Sequence, residues 1–136
     1  MEQEPINLNT KIKKEFSLWA EGKHIDFWSV NHTLAGGVIA GVSILSYVPF
    51  WTSIIVLFSL TIIWEIYETV KDIHETTENR IVDVIVAVIG YVGMYTTMKA
   101  EVLNNVILFS IVTISFITLN ILGNMAYRKR QKELKQ

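Results

Sequence analysis

The chain has 136 residues, of which 51% are hydrophobic, and its formal net charge is −1 at pH 7. It contains no cysteine, which excludes disulfides, thiol catalysis and thiolate metal sites. The apolar residues are collected into long runs that take up most of the chain, so little room remains for a soluble domain.

Residues 1–28 are predicted to form an interfacial segment. They carry several acidic residues and lack an apolar core ahead of a cleavage site, so we do not expect a signal peptide. Ile12, Phe16 and Trp19 recur at helical spacing among lysines, which suits a short amphipathic helix on the membrane surface. The alternative is an irregular tail whose lysines only set the orientation of the protein.

Four apolar runs follow this segment. A helix that crosses the hydrocarbon core needs about 20 mostly apolar residues, because the core is roughly 30 Å thick and a helix rises about 1.5 Å per residue. The runs of sufficient length are residues 29–48, 50–70, 81–98 and 102–127. The sequence therefore predicts an all-α, polytopic membrane fold with four transmembrane helices over residues 29–127, followed by a basic tail over residues 128–136.

Basic residues are concentrated in both terminal segments and in the middle loop. The loop after the first helix has no charge, and the loop before the fourth helix has only Lys99 as a basic residue. Because Lys and Arg accumulate on the cytoplasmic side, both termini are predicted to lie in the cytoplasm, with the protein in the inner (cytoplasmic) membrane. The basic tail also suits anionic lipid, although it can equally serve only to set the orientation.

With this orientation, all four helices place polar side chains near the cytoplasmic side. These side chains are His32 in the first helix, Glu65 and Glu68 in the second, Asp83 in the third, and Asn120 and Asn124 in the fourth. Glu65 and Glu68 are three residues apart and share one helix face. Ionisable groups at membrane depth usually face the bundle interior and pair with one another, so we expect a shared polar pocket.

Small residues lie above this layer on the helix faces that carry His32 and Asp83. Gly36 comes one turn after His32, and Gly90 comes seven residues after Asp83. Small side chains there would leave a slot for a lipid acyl or isoprenoid chain, with its head group at the carboxylates. The alternative is that such residues only let the helices approach closely, as in Gly-x-x-x-Gly pairs.

Three short motifs lie in the first three helices. They are His32-x-x-x-Gly36, Glu65-x-x-Glu68, and Arg80-x-x-Asp83 with Gly90 following. The set resembles the VanZ-like family of small bacterial membrane proteins, named for a member associated with teicoplanin resistance, and the stretch from Trp64 to Glu68 is closer to an uncharacterised sister group. The match covers residues 32–94, with Glu68 and Ala87 standing where the family tends to carry Gln and Asn. The resemblance implies a shared polar site, with a link to envelope stress or antibiotic resistance, and defines no reaction.

Three carboxylates and a histidine at one depth suit a hard divalent cation, because Mg²⁺ and Mn²⁺ prefer oxygen ligands. The candidate metal ligands are Glu65, Glu68 and Asp83. A head-group phosphate would complete the shell, with Arg80 as its charge partner. His32 would then act as general acid or base, and His32, Glu65 and Asp83 are the candidate catalytic residues. This interpretation predicts an enzyme that modifies a lipid or polyprenyl phosphate.

The function predicted from these residues is the binding of a lipid or polyprenyl-phosphate head group, with catalysis left open. The residues expected to contact the ligand are Glu68, Arg80, Asn120, Gly36 and Gly90. One alternative is a structural or immunity-type protein that acts through partners. A proton or cation transporter is disfavoured, because the outer halves of the helices offer few relay groups. No nucleic-acid patch occurs, and self-association is left open.

Overall fold

The computed structural model describes residues 26–71 and 76–133. Within these ranges it contains no strand, and its helices are α1 (Phe27–Leu45), α2 (Phe50–Val70), α3 (Thr77–Lys99) and α4 (Asn105–Glu133). All four are long and apolar enough to cross a membrane. The predicted all-α fold with four membrane-compatible helices is confirmed, whereas the amphipathic helix predicted around residues 12–19 lies outside the described residues.

The first helix begins two residues before its predicted start because Asp26 caps it. The Asp26 carboxylate accepts hydrogen bonds from the backbone N–H groups of Trp28 (2.8 Å) and Ser29 (3.1 Å). The Ser29 hydroxyl in turn accepts from the Asp26 N–H, which completes a capping box. At its other end α1 stops at Leu45, ahead of Tyr47, which adopts a left-handed φ of 56°.

Side-chain caps also set the starts of the last two helices. Thr76 accepts a hydrogen bond from the Asn79 N–H (3.1 Å), so α3 begins four residues before the predicted start. Asn104 accepts from the N–H groups of Val106 and Ile107, and α4 follows directly. Helix α4 runs on into the predicted basic tail, because Lys, Arg, Gln and Glu are good helix formers.

The centre of the bundle is the pair formed by α1 and α3, with α4 packed against α1 and α2 making fewer contacts. The backbones of α1 and α3 touch at two glycines. A Cβ atom placed on Gly36 would lie 1.9 Å from the carbonyl oxygen of Ala87, and one on Gly90 would lie 1.9 Å from that of Thr33. Only glycine allows this approach, which is the usual role of small residues between membrane helices.

Helix α2 is joined to α3 at the end of the bundle opposite the polar layer. The hydroxyl groups of Ser53 and Tyr91 are hydrogen-bonded to each other, and both residues are fully buried. The rings of Phe50 and Tyr95 pack edge to face with centroids 5.0 Å apart. Most of the other apolar side chains of α2 and α4 are exposed. An apolar surface of this extent suits contact with lipid rather than with water.

Candidate functional site

Asp83 is the centre of the polar cluster and is only 1% exposed. Its Oδ1 atom accepts a hydrogen bond from the Ser29 hydroxyl (2.7 Å), and its Oδ2 atom accepts from Asn79 Nδ2 (3.3 Å). His32 Nε2 lies 3.8 Å from the same Oδ2 atom. Asp83 therefore links the first two turns of α1 to those of α3, and His32 lies beside Asp83 as predicted.

Three members of this cluster were not among the predicted site residues. They are Asp26, Ser29 and Asn79, and Asn79 Nδ2 also lies 3.5 Å from Asp26 Oδ2. Two sequence signals point to them in hindsight. The Asp-x-x-Ser pattern is typical of a helix N-terminus, and Asn79 stands four residues before Asp83, on the same helix face.

Glu65 and Arg80 form a second link, between α2 and α3. The Arg80 Nε atom lies 3.4 Å from Glu65 Oε2, and both side chains are partly exposed. Arg80 was predicted to be the charge partner of a phosphate. The structure instead places its guanidinium beside a carboxylate of the protein, which reduces the positive charge that it offers to an anion.

Trp64 connects Glu68, the third predicted carboxylate, to the cluster around His32 and Asp83. Its indole Nε1–H donates a hydrogen bond to Glu68 Oε1 (2.6 Å), and Glu68 is 6% exposed. The Trp64 ring stands edge-on to His32, with ring centroids 6.2 Å apart, and is tilted against Tyr67, with centroids 5.5 Å apart. Trp64 thus lies between the imidazole of α1 and the carboxylate of Glu68.

Helix α4 is joined to α1 at this end of the bundle by a hydrogen bond between Asn120 and Asn31. Asn120 Nδ2 donates hydrogen bonds to Asn31 Oδ1 (3.1 Å) and to the Phe116 carbonyl (3.0 Å). Asn120 therefore binds α1, and no hydrogen bond joins it to the carboxylates among the described contacts. Asn124 is exposed and donates to the Asn120 carbonyl of its own helix.

A cavity of about 490 Å³ begins at this polar end and runs between α1 and α2, closed by Ala87 of α3 and Phe116 of α4. Apart from His32, Trp64 and Tyr67 at the polar end, its walls are apolar except for Thr61. On α2 it extends over the eleven residues from Leu57 to Tyr67. That length corresponds to about 15 Å of helix, roughly half the thickness of the hydrocarbon core.

The prediction of a slot beside Gly36 and Gly90 is wrong. The facing backbone fills the space beside both glycines, and neither residue lines the cavity. The open space lies instead on a neighbouring face of α1, beside Ala35, Val38 and Ile39. Gly36 and Gly90 therefore belong to the contact between α1 and α3.

The carboxylates do not form a set of metal ligands. In the described part of the chain, no group of three or more histidine, aspartate or glutamate side chains lies close enough together to hold a metal ion. Asp83 accepts hydrogen bonds from Ser29 and Asn79, Glu65 lies beside Arg80, and Glu68 accepts from Trp64. The predicted Mg²⁺ or Mn²⁺ site at Glu65, Glu68 and Asp83 thus does not fit this arrangement.

Comparison of the chain with protein-family models, with curated proteins and with solved structures gives no match. What the chain does is therefore inferred from its own geometry.

Proposed function

We propose that this protein binds a membrane lipid, with an acyl or isoprenoid chain in the cavity between α1 and α2 and the head group beside His32, Trp64 and Tyr67. The cavity is the observation that carries the proposal. Its volume of about 490 Å³ falls within the roughly 300–1,000 Å³ of typical small-molecule sites. Its largely apolar walls, with His32, Trp64 and Tyr67 at one end, match an amphipathic ligand.

The position of the cavity supports a lipid over a water-soluble ligand. Leu60 and Ile63 of its wall are 47% and 59% exposed, so the cavity opens at the side of the bundle. Around helices of this hydropathy that side is occupied by lipid tails. The length of the cavity along α2 also suits one chain of a single leaflet, because a leaflet supplies about half of the roughly 30 Å core.

Filling the cavity is expected to remove the lipid. Ala35→Phe and Leu60→Trp each place an aromatic ring in the space between α1 and α2, so lipid retention should fall by about tenfold or more. Native mass spectrometry of the detergent-purified protein measures the number of lipids retained. Val42→Phe is the matched control, because Val42 is exposed on α1 and does not line the cavity. Equal retention by wild type and both filled variants would contradict the proposal.

We also propose that the polar end and both termini face the cytoplasm, in the inner membrane. Support comes from the distribution of Lys and Arg, and the absence of cysteine allows a clean test. In intact cells, a membrane-impermeant maleimide is expected to label a Tyr47→Cys variant, since Tyr47 is 94% exposed in the turn between α1 and α2. A Lys132→Cys variant should react only after permeabilisation. The reverse pattern would place the polar end outside.

Membership of the VanZ-like family is a separate proposal. The support for it is the set of motifs in the first three helices. A role in envelope stress or antibiotic resistance is proposed only if the chain belongs to this family.

A second candidate function is structural, and the mutual pairing of polar groups favours it. Asp83 bonds across to α1, and Glu65 lies beside Arg80 of α3, so both carboxylates hold neighbouring helices in register. A protein of this kind would act through protein partners. It predicts that polar-end substitutions lower thermal stability while no lipid is retained, even by the wild type.

A further inference from the structure

Three aromatic rings surround the polar end of the cavity, and one of them already contacts a cation. His32, Trp64 and Tyr67 all line this end. The Lys71 ammonium lies 5.7 Å from the centroid of the Tyr67 ring. The faces of Trp and Tyr rings carry partial negative charge, and they attract a cation that lies within about 6 Å of the centroid. The arrangement therefore resembles the aromatic cages that bind ammonium groups.

Two of these rings each have a buried carboxylate at their edge, on the side away from the cavity. Glu68 accepts the indole N–H of Trp64 at 2.6 Å, and Asp83 Oδ2 lies 3.8 Å from His32 Nε2. A negative charge at the edge of a ring makes the ring more attractive to a cation. Because Glu68 and Asp83 are almost completely buried, solvent ions screen their charge only weakly.

An anionic head group lacks a matching partner at this place. Among the described residues, no lysine or arginine lines the cavity. The Arg80 guanidinium is beside Glu65, and Lys71 is exposed next to Tyr67, at the rim. A phosphate monoester inside the cavity would lie close to the carboxylates of Glu68 and Asp83, and no lysine or arginine of the described residues lines the cavity to offset the repulsion, which is strong in a medium of low dielectric.

We infer that the head group bound at this end of the cavity carries a cationic amine, as in an ethanolamine or choline phospholipid, and is not a phosphate monoester. The inference rests on the lipid-binding function proposed above and specifies its ligand. The amine lies among the rings of His32, Trp64 and Tyr67. The phosphodiester of such a zwitterionic lipid points outward, toward Lys71. A polyprenyl phosphate, which ends in a phosphate monoester, is thereby disfavoured.

The test compares lipids that differ only in their head groups. The purified protein is incubated with vesicles of equimolar dioleoyl-phosphatidylethanolamine, dioleoyl-phosphatidylglycerol and dioleoyl-phosphatidic acid, and native mass spectrometry identifies the lipids retained. The wild type is expected to retain phosphatidylethanolamine about tenfold over the other two, as the gain from a desolvated cation–π contact predicts. Preference for phosphatidic acid or phosphatidylglycerol, or equal retention of all three, would overturn the inference.

Two substitutions remove the proposed recognition in different ways. Trp64→Leu removes the largest ring of the cage, and Glu68→Gln removes the charge behind that ring while keeping an oxygen for the indole N–H. Both are expected to lower the head-group preference to about threefold or less. Trp51→Leu is the control, since Trp51 lies at the start of α2, away from the cavity. An undiminished preference in both Trp64→Leu and Glu68→Gln would contradict the aromatic cage.

The same experiment separates this inference from the function on which it rests. Retention of one lipid without head-group preference, lost in Ala35→Phe, would leave lipid binding intact and remove only the amine. Failure of the wild type to retain any of the three lipids would overturn both.

Discussion

Gly36→Ala and Gly90→Ala are each expected to disrupt the packing of α1 against α3. A Cβ atom at either position would lie 1.9 Å from a carbonyl oxygen of the facing helix. Backbone oxygens cannot move aside as a flexible side chain can, so the helices must separate along their length. We expect each substitution to lower the free energy of unfolding by about 3 kcal/mol or more. Thermal and denaturant unfolding in detergent micelles measures the loss.

The matched control is Gly93→Ala, on the same helix as Gly90. Apart from the adjoining backbone of α3, no atom of the described residues lies within 4 Å of a Cβ atom placed on Gly93, so the methyl group enters open space. Alanine is preferred to glycine inside a helix by roughly 0.5–1 kcal/mol, so this variant should match or slightly exceed the wild type in stability. If Gly36→Ala and Gly93→Ala unfold at the same temperature, α1 and α3 do not pack as described.

Asp83→Leu is expected to have the second large effect. The carboxylate is 1% exposed and accepts hydrogen bonds from Ser29 and Asn79, with His32 beside it. Leucine leaves these groups without their acceptor in a buried site. Removal of one partner from a buried charged network costs about 3–5 kcal/mol. The unfolding temperature in detergent should fall accordingly, and lipid retention should fall with it, because His32 lines the cavity.

Asp83→Asn separates the charge from the hydrogen bonds. The amide oxygen still accepts from Ser29. Asn79 can turn its own amide so that Oδ1, which has no hydrogen-bond partner among the described residues, faces the new N–H group. We expect a loss of about 1–3 kcal/mol, smaller than for leucine. Glu101→Gln, at an exposed carboxylate in the turn between α3 and α4, should change stability by less than about 0.5 kcal/mol. If the Asp83→Leu variant is as stable as the wild type, the free energy lost in desolvating the carboxylate equals the free energy gained from its hydrogen bonds.

The number and type of the helices follow from hydropathy and length. Each apolar run is long enough to cross the hydrocarbon core, and every backbone polar group in such a run needs an internal partner, which a helix supplies. The predicted run over residues 50–70 coincides with α2. The starts of α1 and α3 were placed too late, because apolar runs do not reveal the caps made by Asp26 and Thr76.

The placement of polar residues in one layer also follows from the order of the helices. His32 and Asp83 stand near the starts of their helices, and Glu65 stands near the end of its helix. Antiparallel neighbours bring such positions to the same end of a bundle. The sequence therefore predicted which residues share a depth, and the structure places these residues at one end, together with Asn120.

The pairing within that layer depended on how each helix is rotated about its axis. Periodicity shows which residues share a face, but the partner of that face is chosen by the packing of the whole bundle. Glu65 lies beside Arg80, Glu68 bonds to Trp64, and Asp83 bonds to Ser29, so the three carboxylates have different neighbours. The same packing closed the space beside Gly36 and opened it beside Ala35, one residue earlier on the helix. Adjacent positions on a helix point about 100° apart, so the contact between α1 and α3 decided which face of α1 is left open to the cavity.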